Sequence, residues 1–290
     1  MITEERNPNT ENIDILATEE MLRLINSEDT KVPLAIGKAI PQIAKLVDAT
    51  VETLRRGGRL VYMGAGTSGR IGVVDAAEWP PTYGVGEECV VALIAGGDRA
   101  LRTAVEGAED DSEAATRDLI AIGFGSRDLL FGLSASGRTA YVLSGVKYAR
   151  SVGATTAGLS CNTEGLLEAV DIPIFVDTGP EVIMGSTRMK AGTAEKMVLN
   201  AVSTSVMVKL GRVYKNYMVD LRPLTNKTRA SALRMHMEIT GVEECYARRV
   251  LAEAGYNVKL AVVMVKLHLS VEEARRKLEE AGGNLRLLLG

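Results

Sequence analysis

Histidine is nearly absent from this chain: 290 residues hold two, His236 and His268. So few imidazoles argue against a histidine-based metal site and against a Ser-His-Asp triad, both of which need the ring as ligand or base. Cysteine is scarce as well. Cys89, Cys161 and Cys245 are odd in number and far apart. They form no metal-ligand cluster and fit a reducing compartment. No metal is expected. No apolar run reaches the length needed to span a membrane, so no membrane partner is expected. No dense Lys/Arg block occurs, and the net charge of −3 argues against a general nucleic-acid binder. An anionic ligand stays allowed, because backbone amides and hydroxyls bind phosphate without bulk positive charge. The opening MITEERNPNTENID is polar and acidic and lacks a signal-peptide apolar region. With the free thiols, this predicts a cytoplasmic protein.

Aromatics make up 4% of the chain, while hydrophobic residues of all kinds reach 46% and glycines number 29. The core must therefore be built from Val, Leu, Ile, Ala and Met, which suits buried parallel strands covered by helices. Apolar runs predict strands over Arg59–Met63, Cys89–Ile94, Asp128–Leu133, Thr155–Leu159 and Ile172–Val176. Helical spacing between them predicts Ser68–Ala77 (stopped by Pro80-Pro81), Arg99–Val105 running on toward Ile122, Ala140–Ser151 and a short Thr163–Val170. This alternation implies an α/β fold: a five-stranded parallel sheet flanked by helices. Before it, an extended arm over Met1–Asp14 leads into helices starting at Thr18 and running from Val32 to Leu54. After it, a long helix over Thr187–Leu210 leads toward a C-terminal helical bundle, with helices at Val242–Ala254, Asn257–Leu267 and Val271–Ala281 and a capping box at Ser270–Glu273. The expected division is 1–57 for the arm and first helices, 58–220 for the sheet domain and 221–290 for the bundle.

Two loops carry the chemistry. Gly64-Ala65-Gly66-Thr67-Ser68-Gly69 breaks from the first strand into a helix start, the recipe for holding a phosphate on free amides and a helix dipole. It also matches the dinucleotide pattern, but the acid that should follow the second strand is only the late Asp98. Ser134-Ala135-Ser136-Gly137-Arg138-Thr139 follows the third strand and opens another helix. Hydroxyl-rich loops converging from two strands suit a phosphomonoester with many oxygens to saturate. Each loop taken separately is also explained by ordinary helix N-caps. Ser186 and Lys190, ahead of the long helix, add a hydroxyl and a cation that fit either a ligand contact or a cap with a surface charge.

The segments GAGTS and SASGRT resemble the paired signatures of SIS (sugar isomerase) domains, which bind phosphosugars. Four longer stretches are more specific: TEERNPNTENID, GAGTSGRIGVVDAAEWPPTYG, VEGAEDD and GPEVIMGSTRMKAGTAEK. Together they resemble the N-acetylmuramic acid 6-phosphate etherases across essentially the whole chain. Trp79 stands where that family often has Cys, and Met184 where a smaller or hydroxylated residue is usual; Trp79 is expected to shape the pocket wall.

The resemblance implies cleavage of a lactyl ether by elimination and hydration, with no metal and no nicotinamide cofactor. It assigns Glu78 as the proton donor to the lactate oxygen and Glu109 as the base at C2. From the residues alone, Glu78 is a carboxylate at a helix end beside Trp79-Pro80-Pro81, whose apolar surface would keep it protonated. Glu109 lies in an acidic run that otherwise reads as a solvated helix face. The implied phosphosugar contacts are Gly66, Thr67, Ser68, Ser134, Ser136, Gly137, Thr139, Ser186 and Lys190. A homodimer is expected, because SIS domains work in pairs and this chain has room for one; the arm and the helices near Asn226–His236 are its expected contributors. The rival functions are a phosphosugar isomerase, a non-catalytic phosphosugar regulator like the related glucokinase regulatory protein, and a dinucleotide-dependent oxidoreductase.

Overall fold

Five short apolar runs do become strands in the computed structural model, which describes residues 1–290. They are β1 (Leu60–Gly64), β2 (Val90–Ile94), β3 (Leu129–Leu133), β4 (Thr155–Ser160) and β5 (Ile172–Phe175). All pairings are parallel, in the order β2-β1-β3-β4-β5. β1 and β3 are buried at every position, as strands with both faces covered must be. Arg59 pins the start of this pair: its guanidinium donates to both carboxylate oxygens of Asp128, at 3.2 and 2.8 Å.

The helices in chain order are α1 (Thr18–Asp29), α2 (Lys31–Arg55), α3 (Gly66–Tyr83), α4 (Arg99–Arg102), α5 (Ser112–Ala121), α6 (Ala140–Ser151), α7 (Leu166–Ala169) and α8 (Lys190–Lys209). One sheet face presents Val61, Met63 and Leu130 to Ala115 and Leu119 of α5 and to Tyr141, Val142 and Val146 of α6. The alternate residues point the other way. There the hydroxyl of Tyr62 donates to Asp75 on α3 at 2.8 Å, and Asp75 in turn accepts from Asn200 and Ser203 on α8 at 2.8 and 3.0 Å. The period of two along the strand thus sorts the helices between the layers.

Three expectations needed correction. The prolines do not stop α3: it runs through Pro80 and Pro81 to Tyr83, and Gly84 ends it at φ +65°. A proline ring sets a φ that a helix accepts, and its missing N–H costs one bond per ring near a helix end. The run from Arg99 toward Ile122 is not continuous. Thr103 is extended, Gly107 is left-handed at φ +73°, and Ala108–Asp110 form a 3-10 turn. Asp111 then restarts the helix by accepting from the amides of Glu113 and Ala114 at 3.0 and 2.9 Å. Finally, the arm is not extended. It forms 3-10 turns at Ile2–Glu4, Pro8–Thr10 and Ile13–Ile15 that lie against the chain's own loops. Asn162 donates to Thr3 (3.0 Å), Asn7 to the Pro180 carbonyl (3.2 Å) and Thr10 to the Val182 carbonyl (2.8 Å).

The residues gather in two compact units: Met1–Ala76 with Glu88–Ser203, and Ala77–Glu87 with Thr204–Gly290. The second carries α9 (Asn226–Thr240), α10 (Glu244–Glu253), α11 (Val258–Leu267), α12 (Val271–Glu280) and α13 (Leu285–Leu289). Its core joins Ala232 and Met235 of α9, Val250 and Leu251 of α10, and Leu260, Val262 and Val263 of α11. The capping box forms as expected: Ser270 accepts from the Glu273 amide, and the Glu273 carboxylate accepts from the Ser270 amide at 3.0 Å. No helix of the chain is long and apolar enough to cross a membrane.

Candidate functional site

The strand order reverses between β1 and β3: from β1 the chain goes to β2 on one side and then to β3 on the other. Ligands in open parallel sheets bind at such a switch point, beyond the carboxyl ends of the strands. The two loops leaving those ends are the glycine loop after β1 and the hydroxyl loop after β3.

In the glycine loop, Gly66 begins α3 at φ +52° with open space around it. A left-handed residue here turns the strand directly into a helix start, so the first-turn amides face outward unpaired. Thr67 is half-buried and Ser68 is 9% exposed. The Ser68 hydroxyl donates to Glu195 on α8 at 2.8 Å. In the hydroxyl loop the three side chains cluster, with Ser134 Oγ 2.8 Å from Thr139 Oγ1 and 3.4 Å from Ser136 Oγ. Ser134 also accepts from the Gly137 amide at 3.1 Å. Gly137, at φ +75°, lies so close to the Glu164 carbonyl that an added Cβ would sit 2.6 Å from that oxygen. Thr139 precedes α6 and makes no capping bond of its own. It is therefore not explained as a helix cap.

Glu109 lies in the 3-10 turn before α5 and is exposed. It is not on a helix face, as its acidic run alone would suggest. A cleft of about 170 Å³ is lined by Ala65, Gly66, Ala95, Val105, Gly107 and Glu109, among others. That is below the roughly 300 Å³ at which whole-ligand pockets begin, so the cleft admits part of a ligand. Glu109 thus shares a cleft with the glycine loop.

Glu78 is exposed on the later turns of α3, in the segment grouped with the second unit. The apolar wrapping expected for it is not supplied by Trp79. That ring is 1% exposed, turned into the core while Glu78 is turned out. Trp79 is a core residue, not a pocket wall, and Met184 is exposed.

Ser186 is half-buried in the turn ahead of α8. Just after it, Gly192 in the first turn of α8 approaches the glycine loop: an added Cβ there would meet Thr67 Cγ2 at 3.3 Å and the Thr187 carbonyl at 3.5 Å. Lys190 is not a free cation. It is 1% exposed and its ammonium lies 2.8 Å from Glu28, which is equally buried. Burial alone would raise the Glu28 carboxyl. The Lys190 and Lys31 ammonium groups and the Asn7 and Asn9 amides outweigh it and hold the group at about 2. With its charge committed there, Lys190 has none left for a ligand. Even the amide end of α8 is occupied: Glu181 accepts from the amides of Lys190 and Ala191 at 3.0 and 2.9 Å.

Sequence reasoning missed Glu195. Burial pushes its carboxyl up to about 7, with the Ser68 hydrogen bond pulling the other way. The signal was present. Ala191, Ala194, Val198, Leu199 and Val202 form the buried stripe of α8, and Glu195 falls on the same stripe.

Comparison with known proteins places the fold and the family. Residues 42–150 match the model of the glucokinase regulatory protein N-terminal SIS domain. In fold, the chain is similar to the c3406 protein of E. coli CFT073, with a TM-score of 0.51 and 16% identity over 69% of this chain and 96% of that one. In sequence, it is 55% identical to the N-acetylmuramic acid 6-phosphate etherase of Caldanaerobacter subterraneus subsp. tengcongensis, over 98% of this chain and 93% of the relative. It is 51% identical to the Cronobacter sakazakii protein of the same name, over 100% of this chain and 98% of the relative. With half its residues shared along nearly the full length of both relatives, the chain belongs to the N-acetylmuramic acid 6-phosphate etherase family.

Proposed function

We propose that this chain cleaves the D-lactyl ether of N-acetylmuramic acid 6-phosphate, giving N-acetylglucosamine 6-phosphate and D-lactate. The observation that carries the reading is the origin of two phosphate-suited loops at the ends of adjacent strands, at the switch point of the sheet, with Glu109 in the cleft beside one of them. The first-turn amides of α3, Thr67 and Ser68 from one loop, and Ser134, Ser136 and Thr139 from the other, hold the 6-phosphate. Ser186 adds a hydroxyl from the turn before α8.

An unactivated ether is a poor electrophile, so direct displacement is unfavourable. In the ring-opened sugar the C1 aldehyde acidifies the hydrogen on C2. Glu109 takes that proton, the C3–O bond breaks, and Glu78 protonates the departing lactate oxygen. Water then adds at C3 of the unsaturated aldehyde and a proton returns to C2. Two carboxyl groups in opposite protonation states suffice. The exposure of Glu78 and Glu109 in the free chain is compatible with these roles, because catalytic contacts often tighten only with substrate bound.

The family reading extends to a cytoplasmic homodimer. The arm is committed to its own subunit's loops, so α9 is the better candidate for a dimer contact.

Release of lactate from N-acetylmuramic acid 6-phosphate tests the reading. Stoichiometric D-lactate with N-acetylglucosamine 6-phosphate supports it. A ketose phosphate formed without lactate would instead make the protein an isomerase, and tight binding without turnover would make it a regulator.

A further inference from the structure

Serine has one hydroxyl hydrogen, and in Ser68 that hydrogen is already spoken for. The acceptor is Glu195 Oε1 at 2.8 Å, on a side chain 1% exposed whose other oxygen, Oε2, has no partner. An ionised carboxylate left half-bonded in the interior is costly. No cation offsets it. Cys161, beyond β4, is a titratable neighbour, and Glu181 and Asp177 act on that same thiol. On α8 itself, Lys190 is taken by Glu28, and Lys196 is exposed. The groups around Glu195 are thus neutral or negative.

We propose that Glu195 is a positioning residue that frees Ser68 to donate to a phosphate only when its own carboxyl group is protonated, so that the glycine loop takes up a phosphate monoester together with one proton. This rests on the reading of Ser68 as a phosphate contact. With Glu195 ionised, the Ser68 hydrogen points to the carboxylate, and the serine offers only lone pairs to an incoming anion. A second negative charge also stands behind it. With Glu195 protonated, the acid donates to Ser68 Oγ and the serine hydrogen turns to the ligand. The bond keeps its length and reverses its direction. A carboxyl raised to about 7 by burial puts this exchange in the neutral range. Glutamine at the same place would donate at every pH.

The test is calorimetric binding of N-acetylglucosamine 6-phosphate to the full chain, from pH 7 to 8.5, where the phosphate is already a dianion. Wild-type affinity should fall on the order of tenfold across that range, as the protonated fraction of a group titrating near 7 falls. E195Q should bind with little pH dependence. At pH 8, titrations in buffers of different ionisation enthalpy should show about one proton taken up per ligand by wild type and none by E195Q. That measurement needs only the wild-type protein if the variant folds poorly. Equal pH slopes for wild type and E195Q, or no proton uptake by wild type, would overturn the proposal while leaving the phosphate reading intact. An S68A variant that binds as wild type does at all pH values would overturn the phosphate reading and the proposal with it.

Discussion

Lys190 and Glu28, 162 residues apart in the chain, meet at 2.8 Å with both side chains 1% exposed. Removing one partner of a buried pair strands the other as an uncompensated charge, at a cost of roughly 3–5 kcal/mol. Glu28→Leu takes the carboxylate from the buried Lys190 ammonium and is therefore expected to lower the urea midpoint sharply. Adding Lys190→Met should restore part of the loss, as apolar replacement of both partners does. The pair also gives an acid limb. The Glu28 carboxyl is held down at about 2, so its contribution is full above the unfolded value near 4.5 and is lost as pH falls toward 2. Glu28→Gln should flatten that limb in a pH series of denaturation curves.

His236 gives a second pH dependence, with another origin. It is fully buried in the second unit, and burial pushes its imidazole below the ordinary value. The unfolded chain then binds the proton first, so stability should fall as pH drops through about 6.5 and level off once the folded ring also titrates. Thermal unfolding of wild type between pH 7.5 and 5 should show this loss, and His236→Leu should reduce it.

The hydroxyl loop should act on binding. A hydrogen bond to a charged group contributes on the order of 1.5–3 kcal/mol. Ser134→Ala and Thr139→Val should each raise KM for the 6-phosphosugar by roughly 10- to 100-fold, with a smaller effect on kcat. The same variants should bind a sugar lacking the phosphate no worse than wild type does.

The two carboxylates should fail differently. Glu109→Gln should abolish both lactate release and exchange of the C2 hydrogen of N-acetylglucosamine 6-phosphate with heavy water. Glu78→Gln should lose lactate release by roughly 10²- to 10⁴-fold, the usual contribution of a general acid. It should retain C2 exchange, followed by nuclear magnetic resonance, because the base is intact.

The sheet was readable because its strands are short apolar runs bounded by glycine and charge; β1 to β5 lie within a residue or two of their expected limits. The positions of the two loops were readable, because glycine and hydroxyl residues directly after an apolar run mark a strand end leading into a helix start. Long-range partners were not readable. Lys190 read as a ligand contact or a surface cation because Glu28 is invisible to any local pattern. Trp79 and Glu78 are neighbours in sequence, yet helix rotation sends one into the core and the other to solvent. Glu109 could not be told from plain surface until the break at Gly107 turned its run into a cleft edge. α3 outlasted its prolines because a proline φ is compatible with a helix and so few turns follow them that little of the ladder is disturbed.

Elimination followed by hydration is the central claim, and the fate of solvent oxygen tests it most directly. In heavy-oxygen water, turnover of N-acetylmuramic acid 6-phosphate should place one labelled oxygen at C3 of N-acetylglucosamine 6-phosphate and leave D-lactate unlabelled, as mass spectrometry of both products would read. Label in the lactate would mean attack on the lactyl carbon, and would contradict the roles given to Glu78 and Glu109.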